Sequence, residues 1–212
     1  MIDACCPLCG EGGSTPYHDE PARTYLRCFS CALVYVPAPM RPTPMQEAVR
    51  YAEHDNRFDD PRYVGFLRRL ADPLRSRLRR GARGLDFGSG PTPVLADILT
   101  SDGFPTTSYD PFFAPEPSVL QAQYDFIACS EVAEHLHEPR RAFEQFARMI
   151  RRGGTIGVMT RFYGVEAPFD RWWYRRDPTH VSFYSEQTMQ WIAGRHGWSV
   201  EFPAPHVTLF GA

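Results

Sequence analysis

The segment GLDFGSG at residues 84–90 constrains the fold more than any other stretch of the chain. A short apolar run, Gly84 to Phe87, enters a turn carrying Gly88 and Gly90, and a helix-type run follows from Val94 to Thr100. Twenty residues after Gly90, the strand-like PTTSYD ends on Asp110. Strand, glycine turn, helix and strand in this order describe a nucleotide-type crevice. Glycine lets the backbone turn sharply and lets a ligand approach it, and an acid at the next strand end can accept hydrogen bonds from both ribose hydroxyls. A purely structural turn is the alternative, and the acid at the matching distance argues against it.

The alternation continues downstream. YDFIACS reads as a strand, EPRRAFEQFARMI as an amphipathic helix and TIGVMT as a strand after the RRGG turn. SEQTMQWIAGRHG reads as a further helix, and WSVEF and HVTLF as a closing antiparallel pair. Strands separated by helices predict an α/β fold with a parallel sheet covered on both faces. Upstream, Met45 to about Arg80 is helix-patterned, with Val64, Leu67, Leu70, Leu74 and Leu78 on one face. Eight arginines fall between Arg62 and Arg83, read as a solvated face, with an anion or nucleic-acid surface as the alternative. A chain of 212 residues suffices for one well-buried domain and an appendage. The division is a cysteine-rich knuckle and linker at 1–40, a helical segment at 41–83, and a core at 84–212 with an insertion at 161–184.

Five of the six cysteines lie within the first thirty-one residues. Cys6 and Cys9 in CPLC, eighteen intervening residues, then Cys28 and Cys31 in CFSC give two C-x2-C pairs at the spacing of a tetrathiolate zinc site. Two tight turns, each presenting two thiolates, complete a closed tetrahedral shell, which makes the zinc structural. Disulfides are the alternative, disfavoured in a reducing compartment. Cys5 could replace Cys6 only by stretching the first pair. A segment this small would depend on its metal to fold.

Composition mainly excludes. A hydrophobic share of 43% with 14% aromatic residues argues against disorder, and a net charge of −2 gives no global field toward nucleic acid or an anionic membrane. No apolar run is long enough to span a membrane, and MIDACCPLCG lacks a basic start followed by an apolar run, so a soluble, cytoplasmic protein is expected.

Taken together, LDFGSG, SYDP, YDFIACSEVAEHLHEP and RRGGTIGVMT resemble the class I S-adenosylmethionine-dependent methyltransferases, especially the ubiquinone and menaquinone methylase-like group, over about Gly84 to Phe210. CPLCG with CALVYVP resembles the zinc knuckle often fused to such enzymes. The resemblance implies a Rossmann-like sheet with one antiparallel strand, S-adenosylmethionine in the glycine-turn crevice, and in-line methyl transfer from the sulfonium. Carried to these positions, Asp86, Gly88 and Gly90 would line the methionine and ribose portion, Asp110 the ribose, and Ser130 with Glu131 the fourth-strand end beside the transfer centre. His135 stands in the family's E-H pair. Two departures matter. Pro91 and Thr92 stand where a third glycine is usual, which disfavours a dinucleotide. Only fourteen residues separate Asp110 from Asp125, so the third strand is expected to be shortened or absent, with Phe112 or Phe113 stacking on the adenine.

Between the fifth strand and the next helix lies RFYGVEAPFDRWWYRRDPTHVSFYS, placed where open α/β sheets bind ligands and therefore read as a substrate pocket. Trp172, Trp173, Phe183 and Tyr184 are equally readable as core. His180, oriented by Asp177 or Glu131, could take a proton from a substrate hydroxyl or amine. His135, on a helix after the fourth strand, could face the same pocket while His137 points elsewhere. The candidate catalytic residues are therefore His180, His135 and Glu131, although alignment alone supplies much of the rate when the nucleophile is already reactive. Arg161, Arg171, Arg175 and Arg176 could clamp a carboxylate or phosphate, with solvated arginines as the alternative. The leading expectation is methylation of a small molecule, anionic if these arginines engage it. The alternatives are an RNA methyltransferase gripping phosphates with the knuckle and the Arg-rich helix, and a cofactor-binding module that has lost activity.

Overall fold

The computed structural model describes residues 5–51 and 59–212, and the structural statements below concern these. The first elements are β1 (Ser14–Glu20), β2 (Arg23–Cys28) and β3 (Val34–Tyr35), paired antiparallel in that order. Next come α1 (Pro44–Tyr51) and α2 (Pro61–Arg75), the latter capped by the Asp60 carboxylate on the Arg62 amide. The part of the helix-patterned segment at 52–58 lies outside the described residues.

The remaining elements alternate as expected: β4 (Gly84–Phe87), α3 (Val94–Ser101), β5 (Thr106–Tyr109), β6 (Tyr124–Ser130), α4 (Pro139–Met149), β7 (Ile150–Met159), β8 (Ser182–Phe183), α5 (Glu186–His196), β9 (Ser199–Ala204) and β10 (Val207–Gly211). The main sheet runs β5-β4-β6-β7-β10-β9. Its first four strands are parallel, and β10 is antiparallel to both neighbours. β6 is buried almost throughout because helices cover both its faces, which explains its unbroken apolar sequence. On one face, Leu67, Leu70 and Leu74 of α2 pack with Ile98 and Leu99 of α3. On the other, Phe143, Phe146 and Met149 of α4 pack with Met189 and Ile192 of α5. No helix among the described residues is long and apolar enough to cross a membrane.

The Rossmann-like sheet is therefore present, and the third strand is absent. From Asp110 the chain makes an isolated bridge to Ala114 and then a 3-10 turn at Pro117–Gln121. Pro111, Pro115 and Pro117 lack the N–H donors that an added edge strand would need. One sequence expectation changes. EHLHEP is not part of a helix: Ala133–His135 is a 3-10 turn, and α4 begins only at Pro139. The Arg-rich face of α2 and the segment after it is largely solvated, as the sequence suggests, and within it Arg68 and Arg75 pair with Asp72 and Asp102, and Arg77 with Glu201.

The first forty residues join the insertion in one sheet. β8 pairs antiparallel with β3, Val34 opposite Phe183 and Tyr35 opposite Ser182. Tyr25, Val34, Phe169, Trp172, Tyr174 and Phe183 form a shared apolar cluster beneath it.

Candidate active site and cysteine cluster

The carboxyl ends of β4, β5 and β6 open onto a cavity of about 840 Å³, walled on the far side by α1, α2 and the insertion. Gly88, with φ +79°, turns the chain at its floor, and a Cβ there would meet Val132 Cγ2 at 2.4 Å. Asp110 is held by three amides: its Oδ2 accepts from Gly90 at 2.9 Å, and its Oδ1 from Phe112 at 2.8 Å and Phe113 at 3.1 Å. That leaves Oδ2 one lone pair for a further donor. Phe112 and Phe113 line the same cavity. Ser130 Oγ lines it too, buried and without a hydrogen-bond partner.

Asp86 departs from its assignment. It does not line the cavity; its carboxylate accepts from the Ala96 amide at 3.2 Å, in the first turn of α3. Desolvation raises its pKa from 3.8 to about 7, partly offset by that hydrogen bond.

Glu131, directly after β6, has φ +51°, a left-handed conformation that costs a non-glycine residue about 1 kcal/mol and recurs at functional sites. Its largely buried carboxyl is pushed well above the usual range by desolvation and by Glu134. Glu134 is fully buried: Thr160 donates to its Oε2 at 2.8 Å and the Tyr174 hydroxyl to its Oε1 at 2.5 Å. His135 and His180 meet over it, with ring centroids 4.7 Å apart. Their Nδ1 atoms lie 3.2 Å from the Thr179 carbonyl and 2.7 Å from the Tyr174 carbonyl, respectively.

The structure thus brings Glu131, His135 and His180 into one place, but the orienting partner of His180 is a carbonyl. Asp177 turns away, accepting from Thr179 and from Arg50. Burial opposes its ionisation, and these hydrogen bonds outweigh that to hold it well below the usual carboxylate range. His137 also lines the cavity, 3.0 Å from Glu47, because the segment is not helical and the helix rule that would point it away does not apply. The proposed arginine clamp does not form. Arg175 is buried against Glu20 and backbone carbonyls, Arg161 pairs with Glu166, and neither they nor Arg171 and Arg176 line the cavity. Of the four aromatics weighed, Trp172, Phe183 and Tyr184 are core, whereas Trp173 is 57% exposed at the cavity rim. Sequence reasoning missed Glu47, Tyr51, Tyr63 and Phe66, which reach the cavity from α1 and α2; only their helical spacing was visible.

Cys6, Cys9, Cys28 and Cys31 converge, their sulfurs all within 4.8 Å of one another. Cys6 stands 3.5 Å from Cys31 and Cys9 3.4 Å from Cys28, near the roughly 3.8 Å that a tetrahedron with 2.3 Å metal–sulfur bonds requires. The two turns match: the Gly10 amide donates to the Cys6 carbonyl and the Ala32 amide to the Cys28 carbonyl, with Gly10 and Ala32 both left-handed. Cys5 is exposed and outside the group.

A sequence family described as a methyltransferase domain matches residues 55–201. No curated protein matches the chain by sequence. Among solved structures, the chain is similar to 1,6-didemethyltoxoflavin-N1-methyltransferase of Burkholderia thailandensis, bound to 1,6-didemethyltoxoflavin and S-adenosylhomocysteine. That match has 17% identity and a TM-score of 0.55, over 93% of this chain and 97% of that one. An O-methyltransferase family protein from the same organism matches at 16% identity and TM-score 0.50, over 81% of this chain and 63% of that one. Phosphoethanolamine N-methyltransferase 2 of Haemonchus contortus, in complex with S-adenosyl-L-methionine, matches at 12% identity and TM-score 0.52, over 73% and 42%.

Proposed function

This chain belongs to the methyltransferase-domain family, and we propose that it uses S-adenosylmethionine to methylate a small-molecule acceptor. The observation that carries this reading is a single cavity lined by the glycine turn, the Asp110 carboxylate and the unpartnered Ser130 hydroxyl together with two histidines. The first group suits a nucleoside cofactor: Asp110 Oδ2 has a lone pair for a ribose hydroxyl, Ser130 lacks a partner, and Phe112 offers a ring where the third strand is absent. When bound, the cofactor supplies an electrophilic methyl group. His180, His135 and Glu131 are then the residues beside the acceptor, and carbonyl-anchored Nδ1 atoms fit His135 and His180 for accepting a proton at Nε2. The SEVAEH segment supports placement near the ubiquinone and menaquinone methylases.

For the cysteines we infer a structural Zn2+ held by Cys6, Cys9, Cys28 and Cys31, which a reducing, cytoplasmic setting would preserve. Three of the eight arginines that an RNA-binding role would draw on, Arg68, Arg75 and Arg77, are paired with Asp72, Asp102 and Glu201, and the cavity suits a small acceptor, so the small-molecule reading stands ahead.

Thermal denaturation with S-adenosylhomocysteine tests the cofactor assignment. Ligand at a hundredfold excess over Kd should stabilise the protein by about 2.7 kcal/mol. Asp110→Ala should abolish most of the shift, and no shift with the parent protein would sink the assignment.

A further inference from the structure

Three hydrogen-bond acceptors face one another at the inner end of the cavity. A carbonyl can only accept, so the Thr179 and Tyr174 carbonyls fix a proton on Nδ1 of His135 and of His180, which makes Nε2 the acceptor atom of each ring in its neutral form. Burial keeps the His180 ring neutral by lowering its pKa to about 4. The third acceptor is the Glu134 carboxylate, whose Oε1 stands 3.9 Å from His135 Nε2, and one ligand atom from each of the three residues lies within 4.8 Å of the others. Thr160 and Tyr174 occupy one lone pair on each Glu134 oxygen and leave one on each. Glu131 adds a second carboxyl next to Glu134, and desolvation and that neighbour outweigh the favourable pull of Arg161 and Arg69 on it, so a further positive group beside the pair would be favourable.

The surroundings are aromatic. Tyr51 meets His135 edge-on at 5.2 Å and Phe112 at 5.3 Å, the Tyr174 ring lies 4.2 Å from His180, and Trp173 stands at the rim. A pocket with acceptors beside it and aromatic rings along its walls suits a cation carried on an organic body. An ammonium brings three N–H donors to three acceptors, a hydroxyl brings one, and a carboxylate brings none and adds a like charge.

Resting on the methyltransferase reading above, we propose that Glu134, His135 and His180 bind the protonated amino group of the acceptor, so that the substrate is a primary amine on an aromatic body. The chemistry balances with one proton. The ammonium releases one proton to water, the freed lone pair forms the N–CH3 bond as the S–CH3 bond breaks, the sulfur keeps that bond's electron pair, and the product carries the positive charge as a methylammonium.

The test uses the full chain with S-adenosylhomocysteine present, followed by NMR of the histidine rings. The probes are benzylammonium, benzyl alcohol and benzoate, which share a ring and differ in donors and charge. Benzylammonium should shift the His135 and His180 resonances with an affinity about tenfold or more above the other two. His135→Phe should reduce that preference by about tenfold while keeping its thermal shift with S-adenosylhomocysteine. Equal or tighter binding of the alcohol or benzoate overturns the proposal, as does the absence of a saturable response to the amine. Displacement of benzylammonium by MgCl2 or MnCl2, with Mn2+ broadening both rings, assigns the cluster to a metal and also overturns it. If S-adenosylhomocysteine binds and the amine does not, this proposal alone fails; if S-adenosylhomocysteine does not bind, the cofactor reading fails whatever the rings report.

Discussion

Asp86 is 3% exposed and has one hydrogen bond, from Ala96, to offset its desolvation. Its pKa of about 7 lies above that of an unfolded chain, so the folded state favours the protonated carboxyl. The stability this confers is complete below about pH 4 and is lost as the pH rises through about 7, amounting to a few kcal/mol at most, on the order of 4. Asp86→Asn, which cannot ionise, should therefore melt above the parent at pH 8 and converge with it near pH 4; a gap independent of pH would show the carboxyl to be ionised throughout. Glu131 follows related logic. Glu131→Gln removes a buried acid held beside Glu134 and should raise the melting temperature at pH 8 while lowering turnover. At this scale, Gly88, Gly90 and Asp110 were legible from the alternation of strand and turn, whereas Ser130 and Glu131 were reached only through the resemblance to class I methyltransferases. The tautomers of His135 and His180 were not legible, because they are set by carbonyls of the insertion more than forty and six residues away.

The element that positions His180 is the β1–β2 hairpin. Arg23 of β2 donates to the carbonyls of Arg175 at 3.4 Å, Asp177 at 3.0 Å and Pro178 at 3.1 Å, and also to that of His180. Tyr25 adds its hydroxyl to the Arg175 carbonyl at 3.2 Å. A planar guanidinium can serve several carbonyls at once and an ammonium cannot, so Arg23→Lys is not conservative here. Arg23→Met should cost about 1–3 kcal/mol of stability and lower kcat about tenfold, with cofactor affinity nearly unchanged because Asp110 and Ser130 lie on other strands. An equal loss of cofactor affinity would indicate general loosening instead. Hydrophobic period exposed α2, β6 and α4 in the sequence, since each has one dominant burial pattern. It could not expose β8, whose two residues are too few for any period and whose pairing with β3 is created by the fold alone.

Across the whole molecule, the cysteine cluster is part of the main core. Cys6, Cys9, Cys28 and Cys31 pack in one apolar cluster with Phe146, Ile127 and Tyr184 of the main domain. The sequence read as a small knuckle that collapses by itself when stripped of metal. The packing predicts a different result: calorimetry on metal-depleted protein, or on Cys31→Ser, should show one transition displaced downward rather than a separate early melting step. Two resolved transitions would restore the knuckle as an independent unit. Fold class was legible because the alternation of elements runs the length of the core, whereas the packing of its first forty residues depended on contacts distant in sequence.

The pairing of β3 with β8 also governs what could be exchanged between relatives of this chain. The leading hairpin and the insertion at 161–184 pack against each other and share hydrogen bonds through Arg23, so they act as one structural unit although about 130 residues separate them. A chimera that swaps either segment alone would present Arg23 to carbonyls placed for a different partner, and the acceptor specificity of the donor would not follow the graft. Recombination that moves both together is the route by which this scaffold could acquire a new substrate.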